Sequence, residues 1–218
     1  MARIELAALV GAMAALSIVS VRPNSARASV LEAPSGLGAP PVRYATAPAG
    51  NTARYRVREK LVGHDFPNDA VGNTSSVTGS LVLDANGKID TAQSKFLVDV
   101  KPLKSDQDKR DGYVQSHILE TSQYPTVTFV PTSTLGLPPN LPASGALSFE
   151  LRGNLTVHGK TMPVSWHVSA HLEGPDMTGN AYTVFTFADA GLSQPHVPVL
   201  LSLEDTIHLE YDFHLVKQ

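Results

Sequence analysis

The sequence predicts an all-β protein: an antiparallel β-barrel with a short helical insertion. Two observations predict the strands, and a third predicts the insertion. Residues 147–157 and 162–172 alternate strictly between apolar and polar side chains, and shorter segments elsewhere do the same. Since successive side chains of a strand point to opposite faces, this alternation is typical of half-buried strands. Residues 104–125 alone break the rhythm, and many strands with one helical insertion favour a barrel over an α/β fold.

The two long alternating segments predict a β-hairpin. They are joined by His158-Gly159-Lys160-Thr161, a short connection in which Gly159 can adopt a positive φ. Pro163 stands near the start of the second strand, where a missing N–H is tolerated. We therefore expect one pair of long antiparallel strands with a single apolar face.

Shorter strands are predicted on both sides of this hairpin. Alternating apolar positions occur in residues 55–61, 77–83, 96–100 and 207–215. The second and third of these segments are separated by the turn sequence Asp84-Ala85-Asn86-Gly87. Together these segments indicate an antiparallel sheet with one dry face.

The segment that lacks the alternation contains helix signals. Ser105 and Asp108 have the spacing of a capping box, and Val114 and Ile118 are four residues apart. We expect a short helix or helical turn that ends before Pro125.

The first 28 residues have the order of charge and hydrophobicity found in a secretory signal peptide. Arg3 precedes an apolar run over residues 6–21, and Ala26-Arg27-Ala28 offers small residues for cleavage after Ala28. The alternative is an uncleaved membrane anchor, for which the apolar run is short. We expect an exported protein, periplasmic or secreted.

The remaining chain divides by composition into a linker and one domain. Residues 29–51 are rich in Pro, Ala and Gly and show no hydrophobic period, which predicts a linker or arm without regular structure. Strand patterns then continue from residue 52 to residue 218 without a second linker. Residues 52–218 are therefore predicted to form the β-barrel domain.

Composition and motifs exclude several classes of function. The formal net charge of −3 gives no attraction to nucleic acid, and the absence of cysteine excludes disulfides, thiolate metal sites and a cysteine nucleophile. No catalytic signature such as Gly-x-Ser-x-Gly or His-Glu-x-x-His occurs, so we do not expect an enzyme. The histidines of the strands fall on the polar phase, which predicts a solvated outer face and no metal site.

Side-chain size leaves the barrel interior undecided between a packed core and a ligand channel. A small barrel has an interior that side chains can just fill, or that holds one small ligand. The apolar phase carries the bulky residues Phe149, Trp166, Tyr211 and Phe213 and the small residues Gly79, Gly153 and Ala170. The first group favours filling and the second favours a channel.

Two further motifs carry a family resemblance. "KRDGYVQSHILETSQYPTVTF", which begins at Lys109, and "GNLTVHGKTMPV" over residues 153–164 resemble the YceI family of exported, lipocalin-like, polyisoprenoid-binding proteins. The resemblance extends roughly over residues 52–218. It implies a lipocalin-like barrel whose apolar interior holds an isoprenoid chain, such as a polyprenyl phosphate or an isoprenoid quinone, with no other cofactor and no catalysis.

The resemblance also suggests a role and a site. The role is that of a lipid carrier or sequestering protein, which is compatible with transient membrane contact; the alternative is an envelope interaction module with a filled core and no ligand. Arg110 and Asp111 are either a local ion pair that holds the insertion or contacts to the head group. The predicted lining of the interior consists of Phe96, Val98, Phe129, Leu147, Phe149, Leu151, Gly153, Leu155, Val164, Trp166, Val168, Leu209, Tyr211 and Phe213.

Overall fold

The computed structural model describes residues 40–218, and these residues form mainly β-strands. Ten strands and two short helices occur in this part of the chain. The strands are β1 Val42–Thr46, β2 Thr52–Leu61, β3 Asn68–Thr74, β4 Val77–Leu83, β5 Lys95–Asp99, β6 Thr126–Leu135, β7 Ser144–Val157, β8 Lys160–Glu173, β9 Asp176–Thr186 and β10 Leu200–Lys217. The helices are α1 Asp108–Tyr113 and α2 Phe187–Ala190, and α1 continues as a π-helical turn over Val114–Ile118.

The strands close into a barrel because β10 pairs back with β1, the first strand of the sheet order. The sheet runs from β1 through β4 to β10 by neighbouring antiparallel pairs, and the end of β10 pairs back with β1. Strand β2 pairs with the preceding part of β10, so β1 and β2 occupy the same edge of β10 in succession. Strands β3 and β4 likewise follow each other along β2 and β1. Eight strand positions therefore surround the interior, and the predicted antiparallel barrel is confirmed.

The predicted long hairpin is β7 and β8. Leu151 pairs with Trp166, and the register continues without a shift from Ser144 to Val157. The turn consists of His158 and Gly159, with φ of 47° and 74°, as expected for a two-residue hairpin turn with both central residues at positive φ. The apolar phase of both strands consequently faces the same side of the sheet.

The predicted linker contains a strand of the barrel. Residues 42–46 form β1, and Tyr44 in its centre is 3% exposed. The barrel therefore begins no later than Val42, and the predicted boundary at residue 52 was wrong. The short strand has no clear alternation and is flanked by Pro- and Ala-rich sequence, so composition alone did not indicate it. The predicted signal peptide, residues 1–28, lies outside the described residues.

The predicted helical insertion is present, but its first turn is held differently from the predicted capping box. Ser105 donates its hydroxyl and its N–H to Asp111 Oδ1, at 2.6 and 2.8 Å, and makes no such bond with Asp108. Gln107 occupies the N-cap position without a side-chain cap. Across residues 40–218, no helix has the length and apolar character needed to cross a membrane.

Candidate functional site: an apolar cavity inside the barrel

The barrel encloses a cavity of about 600 Å³. This volume lies within the range of about 300–1,000 Å³ that is typical of small-molecule sites. Most of the residues that line it are apolar, and they come from the strands, from the insertion and from the segment that follows α2. Side chains therefore do not fill the interior, which answers the question that residue size left open.

Eleven of the fourteen residues predicted to line the interior do line the cavity. They are Phe96, Val98, Phe129, Phe149, Leu151, Leu155, Trp166, Val168, Leu209, Tyr211 and Phe213. The other three do not reach it. Leu147 and Val164 are partly buried and pack against the core cluster, while Gly153 is buried beneath the ring of Phe129.

Glycines in the strands make room for aromatic rings along the cavity wall. A Cβ atom added to Gly72 would lie 2.3 Å from Tyr55 Cε1, and one added to Gly153 would lie 2.6 Å from Phe129 Cε2. The same relation joins Gly79 to Phe96 and Gly179 to Phe213, each at 2.8 Å from a ring carbon. Each ring thus occupies the space of a missing side chain on a neighbouring strand. Large aromatic residues can therefore line this barrel without blocking its centre.

The wall offers few polar groups to a ligand. Trp166 meets Phe129 edge-on, with ring centroids 5.8 Å apart, and its indole Nε1 has no hydrogen-bond partner among residues 40–218. Burial raises the pKa of Tyr55 to about 12 despite the opposing charge of Arg110, so this phenol stays neutral. The Tyr211 hydroxyl donates to Asn51 Oδ1 at 2.6 Å and is thereby occupied. The cavity is suited to an apolar molecule.

The sequence analysis missed the part of the wall that comes from β2, the insertion and the segment after α2. Strand β2 contributes Tyr55, Val57 and Leu61, whose alternation was visible in the sequence. The insertion contributes Val114 and Ile118, the pair whose spacing predicted the helix. The segment after α2 adds Leu192, Pro195, Val197 and Val199. This last segment has no periodic pattern, so no sequence signal identified it.

The cavity has its mouth at the end of the barrel where β2 ends and β10 begins. The exposed lining residues lie there: His64 in the β2–β3 loop, Gln107 and Lys109 at the insertion, and Val199 before β10. At the other end the lining residues Met177, Phe213 and Leu215 are buried. A ligand would therefore enter between the β2–β3 loop, the insertion and the segment before β10.

An ion pair beside the mouth joins the insertion to the barrel. Arg110 donates to Glu59 at 2.6 Å and to Asp106 at 2.5 Å. Burial alone would lower the pKa of Arg110, but the two carboxylates outweigh it and raise that pKa, so the guanidinium stays charged. Asp111 bonds Ser105 instead of Arg110, and its Oδ2 is buried without a partner. The ion pair between Arg110 and Asp111 that the sequence suggested is therefore not formed. Arg110 holds the insertion through Glu59 and Asp106 instead.

The described residues hold no cluster of metal ligands. Within residues 40–218, no three His, Asp or Glu side chains are placed together to bind a metal ion. The site in this part of the chain is thus defined by its apolar cavity. Such a barrel belongs to the class of proteins that can enclose a small apolar molecule.

Comparisons with known proteins define the family. A family model described as a YceI-like domain matches residues 44–215, and the chain belongs to this family. A UPF0312 protein of Pseudomonas putida is 31% identical over 147 residues, which cover 62% of this chain and 70% of the relative.

Solved structures share the fold at low sequence identity. A polyisoprenoid binding domain from Saccharophagus degradans, implicated in plant cell wall breakdown, aligns with a TM-score of 0.60 and 12% identity, covering 80% of this chain and 98% of that one. Burkholderia cenocepacia BcnA aligns with a TM-score of 0.55 and 16% identity, covering 78% and 98%. The Campylobacter jejuni YCEI protein aligns with a TM-score of 0.52 and 13% identity, covering 73% and 91%. At these identities the likeness shows the fold alone.

Proposed function

We propose that this protein is an exported carrier or sequestering protein that holds an isoprenoid chain in the barrel cavity and catalyses no reaction. The observation that carries the proposal is the apolar cavity of about 600 Å³ inside the barrel. The family membership and the fold shared with a polyisoprenoid binding domain support the same ligand class. The predicted signal peptide supports export.

An isoprenoid chain gains enough from burial to bind without many polar contacts. Moving apolar carbon out of water contributes roughly 0.8 kcal/mol per CH₂ group, so a few isoprene units offset the loss of translational and rotational freedom. The aromatic and aliphatic wall supplies that burial over its whole length. Specificity then depends on the length of the cavity and on the groups at its mouth.

The charges at the mouth favour an uncharged head group. Arg110 is already paired with Glu59 and Asp106, so its charge is compensated by two carboxylates. Among the described residues that line the cavity, Lys109 is the lysine or arginine without an ion pair, and it is exposed. A phosphate monoester carries about −1.5 to −2 charges and would lie near the Glu59 carboxylate. An isoprenoid quinone avoids this repulsion, and we propose it over a polyprenyl phosphate.

Two measurements test this function. Organic extraction of protein purified from its exported fraction, followed by mass spectrometry, should yield an isoprenoid with an uncharged head. Trp166 is the single tryptophan of the chain and lines the cavity, so its fluorescence reports on occupancy. A short-chain isoprenoid quinone should quench it at a stoichiometric, saturable site, whereas a polyprenyl phosphate of equal chain length should bind at least about tenfold more weakly, a difference of about 1.4 kcal/mol.

A matched pair of variants identifies the cavity as the site. Ala181 lines the cavity, so Ala181→Leu should reduce the affinity for quinone while the melting temperature is retained. Ala146 on β7 is exposed, and Ala146→Leu should leave the affinity unchanged. An extract without isoprenoid, together with no quenching by either lipid, would contradict lipid binding and favour the envelope interaction module.

A further inference from the structure

Exposed apolar side chains lie on the side of the cavity mouth that is formed by the β2–β3 loop and the start of β10. Val62 and Phe66 in the β2–β3 loop are 56% and 81% exposed, and Val199 and Leu201 at the start of β10 are 60% and 59% exposed. We call these four residues the apolar rim. A hydrogen bond of 2.9 Å from the Val62 N–H to the Val199 carbonyl joins the two segments. The four side chains thus belong to one continuous edge of the barrel.

A register shift in β10 leaves Leu201 of this rim exposed. Strand β10 shifts register against β2 between Leu200 and Ser202, so Leu201 has no partner on β2 and remains exposed. Val199 lines the cavity and is also exposed to the exterior. The rim is therefore continuous with the apolar wall of the cavity, and a chain that leaves the cavity passes along it.

The segments that form the rim contain almost no charge. Residues 191–203 include no Asp, Glu, Lys or Arg, and Asp65 is the one such residue in the loop of residues 62–67. Protein interfaces have a rim of polar and charged groups, whereas each charge that is brought into the hydrocarbon of a bilayer is costly. The composition of these segments favours a lipid surface.

We propose that the apolar rim docks on the headgroup–acyl boundary of a lipid bilayer, with the mouth of the cavity facing the membrane. The proposal rests on the proposed function, because the cargo of such a cavity resides in bilayers. Side chains of this kind enter the boundary region to a depth of about 5–10 Å. The cavity then exchanges an apolar chain with the membrane without passing it through water.

Vesicle binding tests the docking surface. The full protein should co-sediment with phosphatidylcholine vesicles, and raising the salt concentration should change the bound fraction little because the contact is apolar. The double variant Phe66→Ser/Leu201→Ser should lose at least about tenfold in partition coefficient. Both side chains are exposed, so the fold should be retained; the single variant Phe66→Ser, which leaves β10 untouched, should show an intermediate loss.

The control removes exposed apolar side chains that lie outside the rim. Leu135, at the end of β6 remote from the insertion, is 56% exposed, and Val184 on β9 is 46% exposed. Leu135→Ser/Val184→Ser should bind vesicles like the unaltered protein. Equal losses in both double variants, no loss in the rim variant, binding that salt abolishes, or no binding by the unaltered protein would each overturn the proposal. Quinone quenching of Trp166 in detergent solution, measured on the same samples, reports separately whether lipid binding itself fails.

Discussion

At the scale of single residues, glycine and aromatic side chains together determine how wide the cavity is. Gly72, Gly79 and Gly179 stand directly opposite Tyr55, Phe96 and Phe213 on neighbouring strands. Gly153 receives the ring of Phe129 from a diagonal position. Each ring packs on the backbone of its glycine and therefore lies against the wall. Phe213, one of the bulky residues that the sequence analysis counted in favour of a filled core, thus lies against a glycine in the cavity wall.

Gly153 allows the sharpest test of this arrangement. An added Cβ would lie 2.4 Å from the Val130 carbonyl oxygen and 2.6 Å from Phe129 Cε2, so Gly153→Ala should overpack the wall. We expect a loss of about 1–3 kcal/mol in the free energy of unfolding, measured by urea denaturation. Gly112 in α1 has no atom within 4 Å of an added Cβ, and Gly112→Ala should instead stabilise by about 0.4–1 kcal/mol. Equal stability of Gly153→Ala and the unaltered protein would contradict the assignment.

At the scale of elements, the insertion forms a piece of the wall where the β-ladder is interrupted. Strand β3 pairs with β2 on one edge. On its other edge the described residues form an isolated bridge, from Asn73 to Lys104, and no further ladder. The insertion follows this bridge and presents Val114 and Ile118 to the cavity. Its connection to β2 is the ion pair between Arg110 and Glu59, two residues that are 14% and 8% exposed at their side chains. That pair therefore positions one side of the mouth.

Removing one partner of this pair should cost much more than removing both. Arg110→Met leaves the Glu59 carboxylate buried without its cation, for which we expect a loss of about 3–5 kcal/mol. The double variant Glu59→Leu/Arg110→Met should recover most of that loss, as chemical denaturation can measure. Arg152→Met, which removes an exposed pair with Glu150, should cost no more than about 1 kcal/mol. A double variant no more stable than Arg110→Met would contradict this expectation.

At the scale of the whole molecule, the short strand β1 completes the closure of the barrel. It pairs with β4 on one side and with the end of β10 on the other. Its central residue, Tyr44, is buried in the core cluster, while Arg43 beside it is exposed. This strand completes the wall of the barrel because it occupies the edge of β10 that β2 leaves free.

Tyr44→Ala tests whether residues 42–46 belong to the cooperative fold. Truncation of a large buried aromatic side chain typically costs about 3–5 kcal/mol, and we expect a lower melting temperature in a single cooperative transition. Arg43→Ala should leave the melting temperature nearly unchanged because its side chain faces water. If Tyr44→Ala melted like the unaltered protein, β1 would be dispensable and the domain would begin after it.

The alternation of residues 147–172 was enough to predict a hairpin and the face that carries Trp166. Alternation is local, and it therefore identifies strands and faces but not contacts between distant residues. The sequence indicated open space at Gly153, where the ring of Phe129 lies. The register shift of β6 near Pro131 places that ring, and such a shift leaves no local pattern in the sequence. The pairing of Arg110 with Glu59 spans 51 residues and depends on the complete fold. Those contacts required the structure.

Apolar side chains on the cavity wall have packing partners on one side only, and a bound chain supplies contacts on the other. A ligand that binds the folded but not the unfolded chain adds stability by mass action, about 2.7 kcal/mol when its free concentration is a hundredfold above Kd. A lipid-binding barrel is then most durable when loaded and least durable just after delivery. Empty molecules are the ones that heat and proteases remove first. The lifetime of the protein would thus follow the supply of its cargo.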